Sequence, residues 1–462
     1  MDEVVIGRAR AAGREWAALG LAARLAVIGR ARRLIAREAA ALAGTVARPL
    51  ADTLVAEVLP LAEAARFLVR AAPRLLRPRA PRGGRPLWLM GVRAVVRREP
   101  RGAVLILAPG NYPLFLSGAQ ALQALAAGNA VCVKPAPGAS APMLALADLL
   151  RRAGLPEGTM QVLDEAAGPE ASRAGFDHIV LTGGAETGAR VLHAAAETLT
   201  SATMELSGVD AVFVLPGADL GLVAACLAYG LRLNGGATCI APRRVFVPQA
   251  LAAALEAALL PLLPPPAAAP AAIAARLDAL AAAAAALGAR VVARAPMVLA
   301  EARPEMALLQ QDVFAPWLAL VPVRDAEAAL AAADHCQFAL GASVFGPPAA
   351  AAAMALRVRA GSVCVNDLIV PTADPRLAFG GRGRSGFGVT RGAEGLLDMT
   401  VIKTVSTRTG RFRPHLAAAS AGDAGRFALM TLLLHGSLRD RWAALRRLGA
   451  GWAALRRLGA GR

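Results

Sequence analysis

One cysteine and one distant glutamate are the residues of this sequence best suited to covalent chemistry. Cys239 lies in NGGATCIAP (residues 234–242), where small neighbours and a glycine-rich backbone predict an exposed and approachable thiol. Glu205 lies upstream in MELSG (204–208), and residues far apart in sequence can adjoin in a fold. A nucleophile beside a base is sufficient for covalent catalysis on a carbonyl carbon.

The composition indicates a globular protein of two or three domains. The chain has 462 residues, of which 56% are hydrophobic and 18% charged. The formal net charge is +18, but Lys134 and Lys403 are the only lysines, so nearly all of the positive charge is arginine. The arginines are scattered along the chain and aromatic residues make up only 4%, so we expect no nucleic-acid partner.

The cysteines and histidines predict neither a disulfide framework nor a metal site. The five cysteines are odd in number and lack a CxxC pair, and the five histidines lack metal-ligand spacing. The N-terminus has no basic region followed by an apolar run, and no uninterrupted run of about 20 apolar residues predicts a membrane span. We therefore expect a cytoplasmic protein without a metal. Buried structural positions are expected for the other four cysteines, Cys132, Cys226, Cys336 and Cys364.

Short apolar runs alternate with helical segments along most of the chain, which predicts parallel α/β sheets. Apolar residues at helical spacing predict helices over 7–76, broken near Pro49, Pro60 and Pro73. Residues 87–98 alternate loosely and predict a hairpin or an edge arm. The other predicted helices are 118–127 and 142–153, and the predicted strands are 102–107, 130–134, 160–163, 178–181, 244–247, 290–292 and 317–321.

Two segments are low in complexity. Residues 259–287 are mostly alanine, leucine and proline, so the second half is predicted to be helical and the three prolines at 264–266 to be an extended linker. The C-terminus repeats one decamer, WAALRRLGAG, at 442–451 and 452–461. This basic repeat could lie on an anionic membrane, although a recently duplicated, frayed tail is the simpler interpretation.

A set of short motifs carries a resemblance to one enzyme family over roughly residues 8–405. The motifs are RGAV (101–104), APGNYP (108–113), AGNAV (127–131), VKP (133–135), TGGAETG (182–188), ELSG (205–208), NGGATCIAP (234–242), FAP (314–316), LGASVF (340–345), GSV (361–363), VN (365–366), FGG (379–381) and SG (385–386). In this order, and with this spacing between Glu205 and Cys239, the chain resembles the NAD(P)-dependent aldehyde dehydrogenase superfamily.

The resemblance implies roles for three residues. Cys239 resembles the nucleophile, and because the thiolate is the attacking form, surroundings that lower its pKa are expected. The side-chain amide of Asn111 and the backbone N–H of Cys239 resemble the donors that stabilise the oxyanion. Glu205 resembles the base that activates water for thioester hydrolysis, which favours a carboxylic acid as the product.

The resemblance also implies a cofactor site for NAD or NADP. TGGAETG follows a strand and opens a helix, so backbone amides near Gly183 and Gly188 can meet the pyrophosphate. Lys134 matches the lysine that contacts the adenosine ribose. Asp312 and Phe314 match the pair beside the nicotinamide ribose, with aspartate where the family usually has glutamate. A glutamate that often holds the ribose hydroxyls is replaced here by Pro137, which makes NADP acceptable.

Departures from the family pattern leave two other functions open. Ala237 stands where the family commonly has glutamine, and together with Asp312, Pro137 and the low-complexity segment it allows a catalytically weakened scaffold. An acyl-CoA-forming reductase is the other alternative, which the presence of Glu205 disfavours because acyl transfer to coenzyme A needs no hydrolytic base.

The architecture implied by the resemblance is two parallel-sheet α/β domains with a small β arm for oligomerisation. Residues 1–85 and 102–206 would form the dinucleotide-binding domain, and 207–398 the domain that carries Cys239. Residues 86–101 and 399–412 would form the arm, and 413–462 a basic tail. A small-molecule aldehyde substrate and a homodimer or homotetramer are expected, with membrane contact of the tail as a weaker expectation.

Overall fold

The computed structural model describes residues 3–86, 89, 91–267, 269–411, 413–416, 418 and 420–447. The α-helices are α1 Glu3–Ala18, α2 Gly20–Arg37, α3 Ala39–Ala43, α4 Leu50–Thr53, α5 Leu59–Leu75, α6 Phe115–Ala127, α7 Ser140–Arg152, α8 Gly168–Arg173, α9 Ala185–Ala196, α10 Leu220–Arg232, α11 Gln249–Leu259, α12 Ala271–Ala286, α13 Ala326–Ala333, α14 Pro348–Ala355, α15 Gly392–Asp398 and α16 Asp423–His435. The strands are β1 Val92–Pro100, β2 Ala103–Leu107, β3 Ala130–Lys134, β4 Met160–Val162, β5 His178–Gly183, β6 Ser201–Leu206, β7 Asp210–Val214, β8 Pro242–Pro248, β9 Arg290–Arg294, β10 Met297–Ala300, β11 Trp317–Val323, β12 Phe338–Ala339, β13 Gly341–Phe345, β14 Ser362–Val365, β15 Arg382–Gly383, β16 Gly386–Phe387 and β17 Thr400–Arg408.

The first large sheet has six strands in the order β16-β6-β5-β2-β3-β4. All pairs are parallel except β16, which runs antiparallel to β6 and pairs Gly386 with Glu205. Every residue of β2 is buried, as expected for a parallel strand covered on both faces. The sheet therefore fixes the end of β6, where Glu205 lies, between β5 and β16.

The second large sheet has seven strands in the order β14-β13-β7-β8-β11-β10-β9. Its pairs are parallel except β9, which runs antiparallel to β10. Cys239 lies just before β8. The predicted fold class, α/β with parallel sheets, is confirmed.

The predicted strands all form, with bounds that differ by a few residues, and α12 confirms the helix predicted in the alanine-rich segment. The predicted break near Pro60 is wrong, because Pro60 lies within α5, whereas the helix does end near Pro73, at Leu75. Pro60 closely follows a π-helical turn, Leu54–Val58, so the usual helical hydrogen-bond pattern is already interrupted where the proline N–H is missing. Pro73 lies in the last turn, which ends two residues later.

The β arm predicted from the resemblance appears as a two-stranded sheet of β1 and β17. In the separate unit formed by 81–95 and 405–462, the amide of Thr409 donates to the Gly91 carbonyl at 2.8 Å, and α16 follows. Most of the tandem decamer lies outside the described residues, so the membrane contact proposed for it stays a prediction. Within the described ranges, no helix has the length and apolar character needed to cross a bilayer.

Candidate active site

A tight turn places Cys239 before β8. Asn234, Gly235 and Gly236 adopt left-handed backbone angles, with φ of 52°, 57° and 75°. A Cβ on Gly236 would lie 2.5 Å from the Cα of Pro316, so this position requires glycine. Gly236 of the NGGATCIAP motif therefore allows the loop before Cys239 to pack closely against Pro316.

Cys239 and Glu205 line the same cavity, which has a volume of about 330 Å³. Cys239 is half-buried, whereas Glu205 is 2% exposed. Much of the remaining lining is apolar and includes Val55, Leu116, Leu233, Ile369, Val370 and Phe379. The fold thus brings together the predicted nucleophile and the predicted base in a space large enough for an organic substrate.

The prediction that the surroundings of Cys239 lower its pKa is wrong for the chain on its own. Burial raises the pKa of the Cys239 thiol, and the negative charges of Glu205 and Asp210 raise it further. Arg391 acts in the opposite direction. The exposed thiol expected from the small neighbours is in fact enclosed, and enclosure disfavours the thiolate.

Glu205 is held at the end of β6 by one hydrogen bond from a residue outside the sheet. The Thr390 hydroxyl donates to Oε2 at 2.6 Å, and Oε1 has no hydrogen-bond partner among the described residues. Burial raises the pKa of Glu205, which Arg391 and the Thr390 bond oppose. A carboxyl group that has a raised pKa and lines a cavity is suited to accept a proton from water.

Asn111 contacts the segment that carries Cys239. Its Nδ2 donates to the Ala237 carbonyl at 3.1 Å, and its Oδ1 accepts from the Tyr112 amide at 3.0 Å. Asn234 bridges the two segments, because its Nδ2 donates to the carbonyls of both Asn111 and Ala237. Asn111 lines neither the cavity that contains Cys239 nor the larger cavity described below, and one of its two Nδ2 protons is engaged in the contact with Ala237.

A buried ion pair supports the loop that carries Asn111. Arg48 Nη1 lies 3.1 Å from Glu57 Oε1, and the Glu57 side chain is fully buried. Glu57 Oε2 accepts from the amides of Leu114 and Phe115 at 2.7 and 3.1 Å, where α6 begins. Arg48 also donates to the Asn111 carbonyl. Burial raises the pKa of Glu57, and Arg48 is the strongest influence against this shift.

We expect Glu57→Ala to lower the free energy of unfolding by about 3–5 kcal/mol, because it leaves the buried Arg48 charge without its partner. Urea unfolding followed by circular dichroism measures this change. Glu63→Ala is the matched control, since Glu63 pairs with Arg66 at 3.1 Å while both side chains are more than two-fifths exposed. This control should change stability by less than about 1 kcal/mol. Equal effects of the two variants would contradict the structural role of Glu57.

A second, larger cavity of about 850 Å³ lies beside the first sheet and includes Lys134 and Gly183 in its lining. It reaches Thr187 in the first turn of α9, where free backbone amides favour a phosphate group. Burial lowers the pKa of Lys134, and Glu165 opposes this shift. A cleft of this size with a lysine and a helix N-terminus fits a dinucleotide.

The other predicted cofactor residues have different surroundings. A Cβ on Gly188 would lie 2.8 Å from Leu206, so Gly188 allows α9 to pack closely against β6. Asp312 accepts a hydrogen bond from the Ser207 hydroxyl, and the Ser207 amide donates to the Gly183 carbonyl at 3.0 Å. This chain of contacts places Asp312 near the glycine-rich turn. Phe314 is half-buried in the same loop as Asp312 and lines neither cavity.

Sequence reasoning missed the polar residues that complete the smaller cavity. Tyr112, Thr238 and Arg391 line it, and the Tyr112 and Thr238 hydroxyls are 2.7 Å apart. Arg391 adopts a left-handed conformation, with φ of 60°. A charged residue directly before a glycine and after the FGG and SG motifs was the available signal for Arg391. Within the part of the chain that the structure describes, no three metal-ligating side chains cluster together.

Comparison with known proteins identifies the family of the chain. The model of the aldehyde dehydrogenase family matches residues 3–263 and 281–405. A 4,4'-diapolycopene aldehyde oxidase from Methylomonas is 30% identical over 384 residues, which are 78% of this chain and 72% of that protein. A Mycobacterium tuberculosis protein provisionally named succinate-semialdehyde dehydrogenase (NADP+) 2 is 30% identical over 441 residues, 88% of this chain and 84% of that protein.

A solved structure shows the same fold. It is a cysteine-to-alanine variant of aldehyde dehydrogenase C from Pseudomonas syringae in complex with NAD+ and octanal, with a TM-score of 0.79 and 27% identity over 87% of each chain. The family match covers most of the present chain, including both cavities. The chain therefore belongs to the aldehyde dehydrogenase family and is an NAD(P)-dependent aldehyde dehydrogenase.

Proposed function

We propose that the protein oxidises an aldehyde to a carboxylic acid through a covalent bond to Cys239. The Cys239 thiolate attacks the aldehyde carbon to form a thiohemiacetal. The observation that carries the proposal is that Cys239 and Glu205 line one cavity. Reduced-nicotinamide absorbance during incubation with an aldehyde, followed by identification of the acid by mass spectrometry, tests it.

The negative charge that develops on the substrate oxygen needs donors aimed at it. The second Nδ2 proton of Asn111 and the backbone N–H of Cys239 are the proposed donors. The contacts of Asn111 with Ala237 and Asn234 support this role, because they hold the amide against the segment that carries the nucleophile. Arg48 and Glu57 support it indirectly by ordering the loop of Asn111.

Oxidation leaves an acyl group bound to the cysteine as a thioester. When bound, NAD or NADP supplies the hydride acceptor for this step. Lys134, Gly183 and the first turn of α9 would hold the dinucleotide in the larger cavity, and Asp312 would hold its nicotinamide ribose. The bond between Ser207 and Asp312 keeps that carboxylate near β6, the strand that also carries Glu205.

Glu205 then removes a proton from the water that attacks the thioester. Its Oε1 has no hydrogen-bond partner among the described residues and its side chain lines the cavity, so a water molecule there could be bound. Transfer of the acyl group to coenzyme A is the competing outcome. A buried carboxylate at this position favours hydrolysis, because acyl transfer to a thiol needs no activated water.

The apolar lining predicts an aldehyde with an apolar body. We expect kcat/KM for linear saturated aldehydes to rise by about fourfold per added methylene until the cavity is filled, from about 0.8 kcal/mol of burial per methylene. Steady-state kinetics across an aldehyde series measure this slope. Succinic semialdehyde is the polar comparison, and a value of kcat/KM for it above that of the best linear aldehyde would contradict an apolar substrate.

Pro137 stands where the family often has a glutamate, so no carboxylate at this position repels the 2′-phosphate. We therefore expect NADP to be accepted as well as NAD. Pro137 is exposed and lines the larger cavity together with Lys134. Pro137→Glu should raise the ratio of KM for NADP to KM for NAD by about tenfold, through repulsion of the 2′-phosphate. Pro137→Gln, similar in size but uncharged, is the control. If both variants shift the ratio equally, charge at this position does not decide the cofactor.

We also expect the protein to form a homodimer or homotetramer through the sheet of β1 and β17. Val401 and Ile402 on β17 are 42% and 60% exposed, and exposed apolar residues on an edge strand favour pairing with another chain. Sedimentation of the purified protein distinguishes these states from a monomer.

A further inference from the structure

Arg391 is a buried cation at the reactive end of the smaller cavity, and no step described above uses it. It lines the cavity together with Cys239 and Glu205, and it is 6% exposed. Its neighbour Thr390 donates the hydrogen bond that holds Glu205. A buried charge is retained in proteins when other charges or hydrogen bonds compensate its desolvation, so the groups around Arg391 indicate what it does.

The Arg391 side chain is fixed on several sides. Its Nη1 donates to the Thr372 carbonyl, and its backbone amide donates to Gln123 Oε1 at 3.1 Å. The guanidinium lies over the rings of Phe379 and Phe115, at 4.3 and 5.6 Å from their centroids. Its Nε is buried without a hydrogen-bond partner among the described residues. Aromatic rings and one carbonyl carry no negative charge, so they do not neutralise the guanidinium. Its positive charge can therefore act on the other groups that line the cavity.

Besides Arg391, the charges near this end of the cavity are acidic groups and Arg48, which lies over the Tyr112 ring at 4.9 Å. Glu205 on β6 and Asp210 on β7 raise the pKa of Cys239 beyond the effect of burial. Burial also raises the pKa of Tyr112, and the Cys239 charge adds to this shift. Arg391 is the group that opposes them at Cys239, and it also opposes the effect of burial on Glu205. Asp52 lines the same cavity. Burial raises the pKa of Asp210 well above its usual range, and the Gly341 amide, Arg244 and Arg243 oppose this shift.

We propose that Arg391 supplies the positive charge that favours the thiolate of Cys239 and the carboxylate of Glu205 in this cavity. It acts through these two residues and is therefore a positioning residue for the reaction. This inference rests on the proposed function in assigning reactivity to Cys239. Its test measures the reactivity of the Cys239 thiol without any enzymatic turnover. The role of Arg391 and the proposed aldehyde oxidation can therefore be disproved independently.

The experiment measures the alkylation rate of Cys239 by iodoacetamide, an uncharged reagent, in the protein without cofactor. Peptide mass spectrometry isolates Cys239 from Cys226, which is also half-buried. Arg391→Met and Arg391→Gln remove the charge, and Arg391→Gln keeps a hydrogen-bond donor in case the methionine variant does not fold. Arg391→Lys keeps the charge. Arg24→Met removes a buried arginine that does not line the cavity, and urea unfolding checks that each variant folds.

We expect the charge-free variants to be alkylated about threefold to fourfold more slowly for each unit by which the thiol pKa rises. The thiolate fraction falls tenfold per unit, but the remaining thiolate is a better nucleophile. Loss of a nearby opposite charge should therefore slow alkylation by about threefold to sixtyfold in all. Arg391→Lys and Arg24→Met should react at the wild-type rate. Unchanged rates in the charge-free variants would overturn the proposal, as would equal slowing in Arg391→Lys or Arg24→Met.

Discussion

Cys239→Ala is expected to abolish aldehyde oxidation, with a loss of at least about 10³-fold in kcat, because Cys239 is the only thiol among the described residues that line the cavity. The rise in reduced-nicotinamide absorbance with a panel of aldehydes, under NAD and NADP in turn, measures the loss. Binding of the cofactor should persist, since Cys239 does not line the larger cavity. Fluorescence titration with the reduced cofactor measures this binding.

Cys226→Ala is the matched control for this prediction. Cys226 is also half-buried, but it lies on α10 and does not line the smaller cavity, so its loss should leave the activity unchanged. If the Cys239→Ala variant still oxidises aldehydes, Cys239 is not the nucleophile. Wild-type protein that binds cofactor but oxidises no aldehyde would favour the non-catalytic scaffold.

Much of the fold could be predicted because the parallel strands are short, continuous apolar runs bounded by turns. The strand Ala130–Lys134 was predicted with its observed bounds for this reason. β6 was not predicted, since Thr203 and Glu205 interrupt its apolar character. Both side chains are buried by tertiary contacts, with Thr203 bonded to Asp398 and Glu205 to Thr390. Contacts of this range leave no local pattern in the sequence.

The same limit explains what could be predicted of the candidate site. Cys239, Glu205 and Asn111 stand in recognisable motifs, whereas Glu57 and Arg391 do not, and their importance appears only when the fold brings them to the cavity or its loop. The pKa of Cys239 was predicted in the wrong direction because small neighbours in sequence indicate access. Burial in the folded chain raises this pKa, and the charges of Glu205 on β6 and Asp210 on β7 raise it further.

Glu205→Gln is expected to lower steady-state kcat by about 10²–10⁴-fold, the usual contribution of a general base, while the first turnover persists. The amide keeps the size of the side chain and its bond with the Thr390 hydroxyl, but it cannot accept a proton from water. Rapid mixing with aldehyde and oxidised cofactor should therefore give a burst of reduced nicotinamide, followed by a slow phase. Intact-protein mass spectrometry should detect the acyl group on Cys239 after the burst.

Coenzyme A provides the control that separates the two possible fates of this thioester. If hydrolysis is the natural fate, wild-type turnover does not depend on coenzyme A and yields the free acid. If acyl transfer is the natural fate, wild-type turnover requires coenzyme A, and Glu205→Gln retains most of the coenzyme A-dependent rate.

Loss of the burst itself in Glu205→Gln would instead place Glu205 before thioester formation, as the base that deprotonates Cys239. Glu205 Oε1 has no hydrogen-bond partner within the described residues, so it is free to accept a proton either from water or from the Cys239 thiol. The burst amplitude decides between these two roles.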